Sequence, residues 1–232
     1  MCPVTCISGI DTDIGKSVAT GLMAKALGAR NFTVISQKVA QTGCSGIAED
    51  ILLHRELMGV GLFPEDISGL SCPFVYEKAC SPHLAAECAG EQIDPAVITE
   101  ATEKLAARYE HVLLEGAGGL MVPLTRELTF LDYIAALGYP LILVTSPRLG
   151  SINHTLSALE LARSRGVELK GLVYNCHDAA DTRICDDSRQ LFLDSLRKYG
   201  FRDLLVDMQR VGYYQKNRAE FDCLPLFDII DQ

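Results

Sequence analysis

The segment that most restricts what this 232-residue chain can fold into is Gly9-Ile10-Asp11-Thr12-Asp13-Ile14-Gly15-Lys16-Ser17. It follows an apolar run, Pro3–Ser8, that reads as a strand, and it opens a helix expected over Gly15–Leu27. A glycine turn between strand and helix, closed by Gly-Lys-Ser, gathers backbone N–H groups and a helix N-terminus around one point. That geometry takes a phosphate. The cradle is assigned to Asp13, Ile14, Gly15, Lys16, Ser17 and Val18. Lys16 would bridge the β- and γ-oxygens of a nucleoside triphosphate, and the Ser17 hydroxyl would ligate magnesium. Five residues rather than four separate Gly9 from Gly15, so the common spacing of such loops is not met in full.

The alternation of apolar strand, turn and helix recurs along the chain. Strands are expected at Thr33–Lys38, His111–Glu115 (running into Gly116–Gly119), Leu141–Thr145 and Leu169–Asn175. Helices are expected at Ala48–Met58, Pro82–Ala89, Pro95–Tyr109, Phe130–Leu137, Ser151–Arg165 and Ser188–Tyr199. Gly59–Cys80, interrupted by Pro64 and Pro73, reads as loop. Continuous apolar strands alternating with helices predict an α/β fold of the P-loop NTPase type. Its sheet would be mostly parallel with helices on both faces, in a single domain over residues 1–232. The active edge is then expected at the C-terminal ends of the strands. The last thirty or so residues show no pattern that places them.

Composition narrows the partners. The net charge of −9 is spread as interspersed acids and bases, which disfavours nucleic acid or an anionic membrane as a main partner. Nine cysteines include no CxxC and no zinc-finger spacing with histidine, so free thiols are expected. The N-terminal residues carry neither a basic segment nor a long apolar run, and a cytoplasmic location is expected.

Further short motifs follow the phosphate loop in order. They are Lys38-Val39-Ala40-Gln41-Thr42-Gly43, Ala48-Glu49-Asp50, Ser81-Pro82-His83-Leu84-Ala85, Glu115-Gly116-Ala117-Gly118-Gly119 and Leu149-Gly150-Ser151-Ile152-Asn153-His154. With the Asp11-Thr12 pair and the extra loop residue, this set resembles the dethiobiotin synthetases from residue 9 to about 175. Val39 stands where that family usually has proline. The resemblance implies ATP- and Mg2+-dependent carboxylation of 7,8-diaminopelargonic acid by CO2, through a carbamate and a carbamic-phosphoric anhydride, to the cyclic urea of dethiobiotin. It assigns catalytic roles to Lys16, Lys38 and Thr12, and magnesium to Ser17, Asp50 and Glu115. Thr42, Ser81 and Pro82 would meet the substrate. Gly150, Ser151 and Asn153, contributed by a neighbouring subunit of a homodimer, would hold its carboxylate. Glu115 and Asn175 complete the nucleotide site, with Asn175 at the base.

Plainer readings stand beside these. Glu115 fits a structural carboxylate at the glycine turn, and Lys38 a lysine snorkelling from a strand end. Asp50 fits a helix N-terminal acid, and Ser151 a simple N-cap. His83 and His154 read as structural. Asn175-Cys176-His177-Asp178 also has the spacing by which some GTPases read guanine, without the lysine that stacks on the base. The family's G-x-[IL]-P turn is not found: the chain runs Arg210-Val211-Gly212-Tyr213-Tyr214 and Phe227-Asp228-Ile229-Ile230. A P-loop ATPase switch, or a regulatory nucleotide-binding paralogue without synthetase activity, is the competing reading. Against the switch, acids occupy Asp11 and Asp13 where a second lysine would be expected.

Overall fold

The computed structural model describes residues 3–177, 181–217 and 219–229. Its first unit is β1 (Val4–Gly9), the phosphate-type turn, α1 (Lys16–Ala29) and β2 (Val34–Lys38). Next come β3 (Gln41–Thr42), α2 (Glu49–Met58), α3 (Pro64–Ile67), β4 (Val75–Tyr76), α4 (Pro82–Cys88) and α5 (Pro95–Ala106). The second half holds β5 (His111–Gly119), α6 (Phe130–Leu137), β6 (Leu141–Thr145), α7 (Ser151–Ser164), β7 (Leu169–Asn175) and α8 (Thr182–Tyr199). It ends with β8 (Leu205–Met208), α9 (Val211–Asn217) and a 3-10 turn over Leu224–Phe227.

Six strands form one parallel sheet in the order β2-β5-β1-β6-β7-β8. The chain builds outward from β1 in both directions, so the order reverses there. Ligands of open parallel sheets bind at such a reversal, beyond the carboxyl ends of the strands. Every residue of β1, β2 and β6 is buried; β6 is accordingly almost wholly apolar, whereas β1 and β2 also bury Thr5, Ser8, Ser36, Gln37 and Lys38.

Register does part of the site's assembly. Glu115 on β5 lies abreast of Lys38 on β2 and of Ile7 on β1. β5 continues past the expected end at Glu115 to Gly119, with a register shift opposite Ile7–Gly9. Glycine makes the extension possible. A side chain at Gly116 would meet the Phe130 ring at 2.6 Å, and Gly118 has a left-handed backbone with φ 66°.

Three expectations need correction. Gly59–Cys80 is not all loop: it holds α3 and also β4, which pairs with β3 in a separate two-stranded parallel sheet. α8 starts at Thr182 rather than Ser188, because the Asp181 side chain accepts the Arg183 N–H and caps it; the polar first turns hid that start. The tail is structured in its described parts. β8 extends the sheet beside β7, and Leu224, Leu226 and Phe227 join the core. Asp178 and Ile230 lie outside the described residues. Among the described residues the cysteines are thiols rather than disulfides, and no helix is long and apolar enough to cross a membrane.

The loop-rich stretch is held by a buried ion pair. Arg55 of α2 donates through Nε and Nη2 to both Asp66 oxygens at 2.8 and 2.7 Å, and its guanidinium lies 4.6 Å from the Phe63 ring centroid. Burial alone would raise the Asp66 carboxyl, but the Arg55 and Phe63 N–H donors outweigh it and hold it below the usual range. Removing one partner of such a pair leaves the other charge buried. Asp66→Ala is therefore expected to lower the unfolding free energy by about 3–5 kcal/mol in urea titrations. A loss below about 1 kcal/mol would show that the pair does not organise this region.

Candidate active site

The turn after β1 is shaped by residues that tolerate unusual backbone. Asp13 and Gly15 have φ of 55° and 96°, both left-handed. A side chain at Gly9 would strike Ile14 Cγ2 at 2.4 Å, so the loop closes tightly on its own glycine. Lys16 Nζ donates to the Asp11 carbonyl at 2.8 Å, and Thr20 Oγ1 donates to the Lys16 carbonyl at 2.9 Å. The loop is also tied to the ends of β6 and β7. Asn175 Nδ2 donates to the Ile14 carbonyl at 2.9 Å, and Arg148, after β6, pairs with Asp11. The Thr12 N–H first, with Arg148 adding to it, holds Asp11 below the usual carboxylate range.

Beneath the loop lies a charge cluster whose centre, Lys38, Glu115 and His54, is buried. Glu115 Oε1 accepts from Ser17 Oγ at 2.8 Å and from Lys38 Nζ at 2.7 Å. Lys38 Nζ also lies 2.6 Å from Asp50 Oδ2 and donates to the Gly116 carbonyl at 3.1 Å. Glu115 Oε2 is 2.9 Å from His54 Nε2. Burial opposes the charge on both members of the central pair. For Lys38, the carboxylates of Glu115 and Asp50 more than offset that penalty and hold its pKa above the ordinary lysine value. For Glu115, Lys38 and His54 do the same and hold it below the carboxylate range. For Lys16, burial and then the nearby charge of Lys38 outweigh the pull of Glu115, Asp50 and Asp13 and lower it to about 8.

A cavity of about 800 Å³ opens above this cluster. Thr12, Asp13, Gly15, Lys16, Ser17, Val18, Lys38, Thr42, Asp50, Ser81 and Pro82, all expected from sequence, line it together. Gln41, Leu53, Ala79, Cys80 and Val122 line it as well and were not foreseen. Other expected residues are elsewhere. Ile14 is buried behind the loop, and Glu115 is reached only through Ser17 and Lys38. Asn175 is turned to the loop backbone, its Oδ1 accepting the His177 N–H at 3.0 Å. Gly150, Ser151 and Asn153 do not border the cavity in this chain. Ser151 is buried with its hydroxyl 3.2 Å from Ser146 Oγ, whereas Asn153 is exposed and Leu149 fully so.

His54 is the chief omission of sequence reasoning. It sits mid-helix in an Asp-Ile-Leu-Leu-His-Arg stretch, where His-Arg reads as a polar, solvent-facing turn. Its complete burial could have been suspected only from its place one turn after Asp50, on the same helix face.

Comparison with known proteins identifies relatives of the chain. A family model described as an AAA domain matches residues 5–206. The ATP-dependent dethiobiotin synthetase BioD of Chlorobaculum tepidum is 47% identical over 210 residues, covering 90% of this chain and 88% of that protein. BioD 2 of Haemophilus influenzae is 53% identical over 175 residues, 75% of this chain and 92% of that one. BioD 2 of Pasteurella multocida is 47% identical over 212 residues, 91% and 100% of the two chains. Among solved structures, a ParA family ATPase from Chlorobium tepidum superposes with a TM-score of 0.55 at 14% identity over 98% of each chain, a likeness of fold alone. With the phosphate loop and the Lys38–Glu115 cluster in place, these matches show that the chain belongs to the ATP-dependent dethiobiotin synthetase family.

Proposed function

We propose that the protein is an ATP- and magnesium-dependent ligase that closes the cyclic urea of dethiobiotin from 7,8-diaminopelargonic acid and CO2. The observation that carries this reading is the meeting of two lysines, Lys16 and Lys38, at the floor of one cavity beside the phosphate loop. The competing switch would carry its second lysine within the phosphate loop, where this chain has Asp11 and Asp13; here the second lysine comes from β2, on the side of the cavity facing the acceptor.

In the proposed reaction one substrate amine adds to CO2 and loses a proton, leaving a carbamate. A carbamate oxygen then attacks the γ-phosphorus and ADP departs. The second amine attacks the carbamoyl carbon, closes the ring and expels phosphate. Two unit charges about 4 Å apart repel by about 4 kcal/mol at an effective dielectric constant of about 20, so the approach of carbamate to γ-phosphate must be neutralised. Lys38, kept charged by Glu115 and Asp50, serves the carbamate side, and Lys16 the β- and γ-oxygens. Thr12 and Thr42 offer hydroxyls to carbamate or phosphate oxygens, while Ser81 and Pro82 shape the wall facing the diamine.

Magnesium suits the donors present. Among the described residues no group of three or more His, Cys, Asp and Glu side chains gathers as a metal centre. Ser17, Asp50 and Glu115 instead provide one hydroxyl and two carboxylates, all oxygen, clustered around Lys38. That is the partial set magnesium takes when phosphates and waters supply the remaining positions. When bound, the ion would neutralise phosphate charge. The fully exposed Leu149 and the neighbouring exposed Ile152 and Asn153 support a homodimer in which this segment completes the other copy's substrate site.

Phosphate release from MgATP and bicarbonate is expected to depend on 7,8-diaminopelargonic acid, with dethiobiotin identified by mass; diamine-independent hydrolysis would favour a switch. Sedimentation is expected to show a dimer, and a fully active monomer would remove the shared-site reading. Lys16 also sets a pH dependence. Its ammonium, favoured by phosphate, is lost as pH rises through about 8, so bound nucleotide raises its pKa and takes up a proton. Affinity for a non-hydrolysable ATP analogue should fall about tenfold between pH 7 and pH 9 by calorimetry. A flat profile would place Lys16 away from the phosphates.

A further inference from the structure

His54 reaches Glu115 at the end of a buried hydrogen-bond chain that begins on α3. Arg55, anchored by Asp66, donates from Nη1 to Ser36 Oγ at 2.8 Å and from Nη2 to the Ser36 carbonyl at 3.3 Å. Ser36 Oγ is also 2.9 Å from His54 Nδ1, and His54 Nε2 is 2.9 Å from Glu115 Oε2. Asp66, Arg55, Ser36, His54 and Glu115 are all buried.

The donors and acceptors in this chain leave one assignment for the Nε2 end of the ring. A guanidinium only donates, so the Arg55 bond uses an acceptor site of Ser36. Ser36 Oγ keeps one proton and one lone pair for His54 Nδ1, so this contact holds the ring whichever of the two atoms donates. An ionised carboxylate only accepts, so Nε2 carries a proton and donates it to Glu115 Oε2. Oε2 is thereby fixed, and Oε1 is turned to Ser17 and Lys38.

We propose that His54 is a positioning residue for the cation site: it pins one oxygen of Glu115 so that the other faces Ser17 and the phosphate loop. Ser36, held by Arg55, serves by fixing the orientation of the imidazole ring. Outer partners of this kind orient ligating carboxylates, and their removal typically costs about 10–100-fold in metal affinity. The proposal rests on Glu115 taking part in the cation site, as in the proposed function.

The test is Mn2+ binding, followed by electron paramagnetic resonance, to the full-length protein saturated with a non-hydrolysable ATP analogue. His54→Leu is expected to weaken Mn2+ binding about 10–100-fold while metal-free binding of the analogue changes less than about twofold. His54→Gln, whose amide can donate to Oε2, is expected to recover most of the loss. Unchanged Mn2+ affinity in folded His54→Leu would overturn the proposal, and so would an equal loss of metal-free nucleotide binding, which marks a merely structural residue. If His54→Leu does not fold, failure of His54→Gln to outperform His54→Asn in Mn2+ affinity would overturn it. Absence of any protein-dependent Mn2+ signal in the unsubstituted protein would instead sink the cation site itself, and the proposal with it.

Discussion

The pairing of Lys38 with Glu115 across β2 and β5 is the interaction on which the rest of the site turns. Neither charge would be tolerated alone in a fully buried position. Together they are bound in place by parallel register, since the two residues lie abreast. The pair then recruits its neighbours. Asp50 comes from the start of α2, Ser17 from the start of α1, and His54 from one turn further along α2. Four elements are thus tied to one point under the phosphate loop.

The two lysines of the cavity differ in a way that follows from this. Lys38 has carboxylates at 2.6 and 2.7 Å, which favour its cationic form over the cost of burial. Lys16 donates to the Asp11 carbonyl, and burial and the charge of Lys38 outweigh the more distant carboxylates. One lysine is a fixed part of the electrostatic frame. The other is completed by what it binds.

Much of this was legible before the structure. The glycine turn with Gly-Lys-Ser, the apolar strands and the Glu-Gly-Ala-Gly-Gly run each carry a local physical signature, and they placed β1, α1, β5 and the sheet type. Lys38, Asp50 and Glu115 were readable as a group through the family resemblance, while register and burial now give each a local reason. What escaped depended on contacts distant in sequence. Arg55 and Asp66 look like ordinary surface charges until Ser36 and Phe63 enclose them. β8 is only four residues long and carries Asp207, so its strand character comes from pairing with β7 rather than from its own pattern. The α8 boundary failed because a cap, not an apolar stripe, sets it.

The bridge between Asp11 and Arg148 joins the phosphate loop to the residue preceding Leu149. Both side chains are partly exposed, and such a pair is worth about 1 kcal/mol at most, roughly a fivefold bias in a two-state balance. That is too weak to lock either loop, yet it makes their movements correlated rather than independent. A neighbour seated on Leu149 therefore leans on the phosphate loop without touching it, and a filled loop in turn favours one posture of the face that Leu149 presents.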